Sequence, residues 1–242
     1  MNRIRSSEEL KAHAREKLLD RYLQVVPVHL LFLFVSWGFK SLGADLLYTK
    51  KGFFMSFVAL GIYLIGSVLA NLLRFGLDCF YMNLSCGFPC GIGDLFRGFS
   101  FRDDRAVRVS LLYTGMLFLC ELPAVFLLVL QLRTGSAALS PLAMLALCVG
   151  LGVYCVYWLG MSQCYYLILD FPDKDLGEII RMSRWLMKGN RIRLFYLHIS
   201  FVPLYILSLL PCGIGFFWTL PYAEESFTCF HLNLTSVAAS EQ

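Results

Sequence analysis

Charged side chains are scarce in this sequence. Asp, Glu, Lys and Arg make up 16% of the 242 residues, against about 25% in a typical soluble domain. Apolar residues account for 58%, and their runs repeatedly reach the roughly 20 residues that a helix needs to cross a bilayer. A soluble protein of this length needs more polar surface to cover its core, so two soluble domains are excluded. Lipid is the expected solvent for most of the chain.

The sequence patterns of common chemical sites are also missing. Cys86 and Cys90, in "CGFPCG", do not have C-x-x-C spacing, and no second pair of cysteines complements them as in a zinc or redox site. The glycine-rich stretch that follows Cys86 lacks the G-x-x-x-x-G-K-[ST] pattern of a phosphate loop, and no H-E-x-x-H is present. We therefore predict no catalytic residues, no metal and no cofactor. An intramembrane enzyme ranks last among the functions, because no nucleophile and base share a depth and a motif.

Six apolar stretches predict an all-α integral membrane protein. They form a six-helix transmembrane bundle within a single membrane domain, residues 1–242, with amphipathic helices at its cytoplasmic face. The sixth stretch is the weakest, because Glu224 and Glu225 fall in its second half and Pro221 interrupts it. The predicted spans are about 23–43, 53–73, 107–131, 141–168, 194–210 and 213–232.

Lysine and arginine are distributed unevenly among the segments that connect these spans. They concentrate before the first span, between the second and third, and between the fourth and fifth. The alternate connections hold only Lys50, Lys51 and Arg133. By the positive-inside rule, both termini are expected in the cytoplasm of a multi-pass protein of the cell membrane. The counted cations are Arg3, Arg5, Lys11, Arg15, Lys17 and Arg21; Arg97, Arg102, Arg105 and Arg108; and Lys174, Arg181, Arg184, Lys188, Arg191 and Arg193.

An amphipathic helix is predicted over residues 6–22, before the first span. Ser6 and Glu9 have the spacing of a capping box. Apolar side chains then recur every four residues and form one narrow stripe along the helix. A plain solvated helix is the alternative. The stripe consists of Leu10, Ala14, Leu18 and Tyr22.

A second amphipathic helix is predicted over 174–191, between the fourth and fifth spans. One face is apolar, and the opposite face carries Glu178, Arg181, Arg184, Lys188 and Arg191. Such a helix is expected in the headgroup plane, where each cation attracts anionic lipid by about 1 kcal/mol before screening. Trp185 is also typical of that interface. Nucleic-acid binding is disfavoured, because the cations stand on a helix tethered to the bilayer at both ends.

Glu121 is the most informative polar residue of the predicted spans. It lies near the middle of the third, where an ionised carboxylate costs about 3 kcal/mol or more. One interpretation is a proton-linked or substrate-binding carboxylate in a small secondary transporter. The favoured interpretation is a neutral acid that hydrogen-bonds between helices, because the sequence shows no second carboxylate or arginine at that depth to form a relay. Pro123 also frees the carbonyl of Leu119, which could accept the proton of Glu121.

Two further polar sets lie near the cytoplasmic ends of the spans. Arg74 and Asp78 have i, i+4 spacing and predict an ion pair at the membrane interface, with the arginine snorkelling to water. His29 and His198 lie at similar depths, close enough to meet. Without a carboxylate or a metal-site motif beside them, each is expected to be a buried helix-contact residue and not a ligand.

Four stretches of this sequence resemble the bacterial integral-membrane family catalogued as domain of unknown function 975. They are "RSSEELKAHAREKLLDRY", "GDLFRGFSF", "YYLILDFPDKDLGEIIRMSRWLMKGNRIRLFYLHISF" and "GIGFFWTLPY". The resemblance implies a compact multi-span helical protein of the cell membrane, with no assigned activity or cofactor. The sequence departs from the family pattern at His231, near a position that is usually tyrosine. The expected function is therefore non-enzymatic binding of anionic lipid or of a protein partner, with secondary transport as the alternative.

Overall fold

A computed structural model describes residues 5–48, 53–100 and 104–240. Four of the cations that enter the topology prediction, Arg3, Lys50, Lys51 and Arg102, lie outside these ranges. Within the ranges the chain is helical and contains no strand, which confirms the all-α prediction. The α-helices are α1 (Ser7–Leu18), α2 (Tyr22–Tyr48), α3 (Phe53–Cys86), α4 (Ile92–Leu95), α5 (Asp104–Thr134), α6 (Leu139–Met161), α7 (Cys164–Asp170), α8 (Leu176–Leu186), α9 (Arg191–Ile199), α10 (Val202–Leu209) and α11 (Phe216–Ser240).

Five segments are long and apolar enough to cross a membrane, judged by length and composition. They overlap the first five predicted spans. The predicted sixth span corresponds to α11, which is not among the five because Glu224, Glu225, His231 and Asn233 lower its hydropathy. The count of six is therefore not confirmed. The five segments are Tyr22–Ser41, Val58–Cys86, Asp104–Gln131, Leu139–Asp170 and Arg191–Leu209.

Two predicted spans prove to be interrupted helices. The fourth is divided into α6 and α7 by a turn at Ser162 and Gln163. The fifth is divided into α9 and α10 at Ser200 and Phe201. Proline explains the second break, because Pro203 in the first turn of α10 has no N–H to donate to the preceding turn.

The densest packing lies at one end of the bundle and not at its middle. In α3, nearly every side chain from Ala70 to Ser85 is buried, whereas Ile65 in its first half is 63% exposed. The buried residues of α7 and of the second half of α11 pack at the same end. By contrast, α5 and α6 expose large apolar side chains such as Phe126 and Leu145. The exposed side chains of α5 and α6 form a surface suited to lipid. The second half of α3, α7 and the second half of α11 form a closely packed layer at one end of the bundle, which we call the rigid layer.

Helix α1 has the predicted capping box. The Ser6 backbone N–H donates to Glu9 Oε2 at 2.8 Å, and the Glu9 N–H donates to Ser6 Oγ at 3.3 Å. Leu10, Ala14 and Leu18 are buried as the stripe predicts. The helix ends at Leu18, before the predicted end at residue 22. Its apolar face packs on α11 and α9, so this face contacts protein and not lipid.

The cations of α1 bond to the ends of neighbouring helices. Lys17 Nζ donates to the carbonyl of Ser85 at the end of α3 (2.8 Å), and Lys11 Nζ donates to that of Ser200 after α9 (2.9 Å). The last carbonyls of a helix lack intrahelical partners and carry partial negative charge, so ammonium groups stabilise them. Burial lowers the pKa of Lys11, whose Nζ lies 4.3 Å from the centre of the Phe201 ring. These side chains therefore attach α1 to the rigid layer.

Candidate functional site

Helix α8 is held against the bundle by its apolar face. Its N-terminus is capped by Asp175, whose side chain accepts the Gly177 N–H at 3.2 Å. Ile179, Ser183 and Leu186 are buried, and the helix packs on α6 and α7. We expected this apolar face to contact the lipid interface, but protein covers it. The helix is therefore fixed in orientation by side-chain packing.

The predicted helix over 174–191 is divided: α8 ends at Leu186, a turn holds Lys188, and α9 begins at Arg191. The exposed side of α8, this turn and the first residue of α9 are cationic. Arg181, Arg184, Lys188 and Arg191 are all exposed. In the part of the chain that the structure describes, none of the four makes a hydrogen bond or an ion pair. Trp185 lies among them and is 59% exposed. We call these five residues the basic face.

The basic face lies in the connection between the fourth and fifth candidate spans and includes the first residue of the fifth. The segment before it ends at Asp170, and the next begins at Arg191. Exposed apolar side chains follow directly in α9, where Ile192 is 80% and Tyr196 is 62% exposed. Cations and aromatic residues next to exposed apolar side chains match the composition of a membrane–water interface. The arrangement can attract several anionic groups at once.

A buried ion-pair cluster links α3 to α11. Arg74 Nε lies 3.2 Å from Asp78 Oδ1, which is the pair that the i, i+4 spacing predicts. Arg74 also donates to both carboxylate oxygens of Glu224, with Nη1 2.7 Å from Oε1. The carboxylates are buried, with side-chain exposures of 5% for Asp78 and 12% for Glu224. The Arg74 side chain itself is 33% exposed, and its snorkelling stays a prediction. The guanidinium also joins two helices in a bidentate contact.

Tyr166 of α7 extends this cluster. Its hydroxyl donates to Asp78 Oδ1 at 3.4 Å and lies 3.2 Å from Thr228 Oγ1 of α11. The ring of His231 stacks on the Tyr166 ring with centroids 4.7 Å apart. Three helices therefore meet through polar side chains that are mostly buried. We call Arg74, Asp78, Tyr166, Glu224, Thr228 and His231 the polar network.

His231 closes the polar network at its far end. Its Nδ1 lies 2.9 Å from Gln163 Oε1, and its Nε2 lies 2.9 Å from Asp170 Oδ2. The side chain has no exposed surface. Because both ring nitrogens are engaged, this histidine serves to connect α7 with α11. Among the described residues, no group of three or more His, Cys, Asp or Glu could hold a metal ion.

The two histidines at similar predicted depth have separate partners. His29 Nδ1 lies 3.0 Å from the Tyr81 hydroxyl. His198 Nδ1 lies 2.8 Å from the carbonyl of Leu194, and its ring stacks on Phe227 at 4.0 Å. Each is a helix-contact residue, as expected, but they do not form a pair.

Glu121 lies in α5 and is partly exposed. No hydrogen bond or ion pair to its carboxyl group is found among the described residues, so the interhelical bond that we expected is not seen there. Nearby, Gly150 of α6 packs closely on α5, because an added Cβ would lie 2.3 Å from the carbonyl oxygen of Cys120. Secondary transport through Glu121 stays a prediction.

Glu224, Tyr166 and His231 were not predicted to belong to one site. A signal was present, because Glu224, Thr228 and His231 follow i, i+4, i+7 spacing and form a polar stripe on α11. We treated Glu224 only as an obstacle to a membrane span. The neighbouring Glu225 is also buried, where it contacts Ser85 Oγ.

The chain was compared with known proteins. The family model described as "Protein of unknown function (DUF975)" matches residues 1–238. No curated protein matches the chain, and no solved structure matches it. Because the family match covers nearly the whole length, the chain belongs to the DUF975 family, whose function is unknown.

Proposed function

We propose that this is a non-enzymatic multi-pass protein of the cell membrane that binds anionic lipid headgroups through its basic face. The observation that carries the proposal is the set of four exposed cations on α8, in the turn after it and at the start of α9, none of which has a hydrogen bond or ion pair among the described residues. Unpaired cations near a bilayer surface each gain about 1 kcal/mol from anionic lipid before screening. Packing of α8 on α6 and α7 fixes its backbone, so binding needs no ordering of the helix itself.

Contacts between the chain ends support a cytoplasmic location of both termini. The Arg5 backbone N–H donates to Asn233 Oδ1 at 2.9 Å, and Arg193 Nη2 donates to the carbonyl of Arg5 at 2.9 Å. The start of the chain, the start of α9 and the end of α11 therefore lie together. This favours an even number of crossings, with α11 as the sixth despite its lower hydropathy. The basic face then faces the cytoplasmic leaflet, in line with the positive-inside rule.

Loss of two cations from the basic face is expected to reduce the enrichment of anionic lipid around the protein. The variant is Arg181→Gln with Lys188→Gln. Membrane discs are extracted with a polymer, and the fraction of phosphatidylglycerol in them is measured against that of the bulk membrane. We expect an enrichment of about twofold or more for the wild type, and a value near the bulk fraction for the variant.

A matched control removes two cations from the other end of the spans. Lys40 and Arg133 are also exposed and have no hydrogen bond or ion pair in the described ranges. Because these two cations lie on different helices and the basic face stays intact, Lys40→Gln with Arg133→Gln should lower the lipid ratio much less than the basic-face variant does. Equal lipid ratios in the wild type and both double variants would contradict headgroup binding by the basic face.

A further inference from the structure

An apolar groove runs along the junction between α6 and α9. Its volume is about 420 Å³. Its walls face outward, since Val156 is 58% and Ile192 is 80% exposed. One end is occupied by Arg191, the first residue of α9. The apolar lining consists of Gly152, Cys155, Val156, Leu159, Ile192 and Phe195.

The guanidinium of Arg191 lies against α6 at a glycine. A Cβ added at Gly160 would lie 3.1 Å from Arg191 Nη2, so the missing side chain gives the guanidinium its place. Arg191 has no hydrogen bond or ion pair in the described part of the chain. An unpaired cation therefore stands at the end of the groove where α9 begins.

The groove and Arg191 match a phospholipid in the order of their parts, with the cation at the position of the phosphate and the groove at that of an acyl chain. Gly152 lies eight residues before Gly160 in α6, which corresponds to about 12 Å along the helix. The groove thus leads from the cationic end toward the interior of the candidate span. A phospholipid in the same leaflet has the same order of parts, with its phosphate at the interface and its acyl chains pointing inward.

We propose that this groove binds one anionic phospholipid, with the phosphate on Arg191 and an acyl chain along the apolar lining. The inference rests on the proposed function, because it places Arg191 at the anionic leaflet. It goes further in assigning a discrete site for one molecule, in addition to general attraction by the basic face. Charge complementarity selects the headgroup, and the apolar lining requires a chain-bearing lipid and not a free phosphate ester.

Filling the groove tests the site. A Cβ added at Gly152 meets nothing within 4 Å, so Gly152→Leu places its side chain in the groove without a backbone clash. Gly115 of α5 is equally open, and Gly115→Leu is the matched control.

Native mass spectrometry in detergent measures adducts of phosphatidylglycerol and of phosphatidylcholine with the same acyl chains. Val156→Phe is a second filling variant, and size-exclusion chromatography checks that each variant is folded.

The wild type and Gly115→Leu are expected to retain one phosphatidylglycerol about tenfold more strongly than phosphatidylcholine, which corresponds to about 1.4 kcal/mol. Gly152→Leu and Val156→Phe should lose this adduct by about tenfold. Arg191→Gln should still bind lipid but without headgroup preference, and glycerol phosphate should not displace the adduct. Unchanged adducts in both filling variants, or displacement by glycerol phosphate, would overturn the groove site. The lipid ratios of the Arg181→Gln, Lys188→Gln variant would still decide the proposed function separately.

Discussion

Arg74→Met is expected to lower the midpoint of thermal unfolding in detergent by about 10 °C, because it leaves two buried carboxylates without a counterion. Asp78 and Glu224 both lose their bonds to the guanidinium in this variant. Removing one partner of a buried ion pair typically costs about 3 to 5 kcal/mol, which exceeds what the pair contributes over an apolar replacement. The measurement is loss of the folded peak in size-exclusion chromatography after heating.

A matched variant and a double variant separate the ion pair from general effects of the substitution. Arg133→Met removes an exposed arginine from the end of α5 and should change the midpoint by at most about 2 °C. Adding Glu224→Met to Arg74→Met should recover part of the loss, because one unpaired carboxylate is then removed. If Arg74→Met unfolds at the same temperature as Arg133→Met, the cluster does not hold α3 to α11.

Gly76→Ala is the second substitution with a large expected effect. A Cβ at Gly76 would lie 1.9 Å from the carbonyl oxygen of Leu95 and 2.8 Å from that of Asp94. Both are backbone atoms, so α4 has to move away from α3. Overpacking of this kind typically costs about 1 to 3 kcal/mol. We expect a lower unfolding midpoint in the same heating assay.

Gly61→Ala, on the same helix, is the control for Gly76→Ala. A Cβ at Gly61 meets nothing within 4 Å, and alanine favours a helix interior over glycine by about 1 kcal/mol. Its unfolding midpoint should therefore equal or exceed that of the wild type. Equal midpoints for the two alanine variants would show that the close approach of α4 to α3 does not limit stability.

Local patterns predicted local structure well. The spacing of Ser6 and Glu9 predicted the capping box, and the spacing of Arg74 and Asp78 predicted their ion pair. Both depend on residues within one helical turn. The stripe of Leu10, Ala14 and Leu18 predicted which face of α1 is buried. Periodicity identifies an apolar face but not what covers it, so we assigned both amphipathic helices to lipid where the structure places protein.

Long-range pairing was beyond the sequence. Depth in the membrane suggested that His29 and His198 could meet, but depth does not fix the direction in which a helix face points. Glu224 reaches Arg74 only because α11 packs beside α3, across 150 positions of the chain. The four cations of the basic face are exposed, but the single helix predicted over 174–191 ends at Leu186, so only Arg181 and Arg184 lie on α8. The lack of ion-pair partners at the basic face required knowledge of every neighbouring helix.

A common location of both termini and the basic face on the cytoplasmic side is tested most directly by reporter fusions. Green fluorescent protein fused to either terminus should fluoresce. Alkaline phosphatase should be inactive when fused after Asp173, before the basic face, and active when fused after Gly135, between α5 and α6. Active phosphatase after Asp173, or termini that report opposite compartments, would contradict binding of the cytoplasmic leaflet by the basic face.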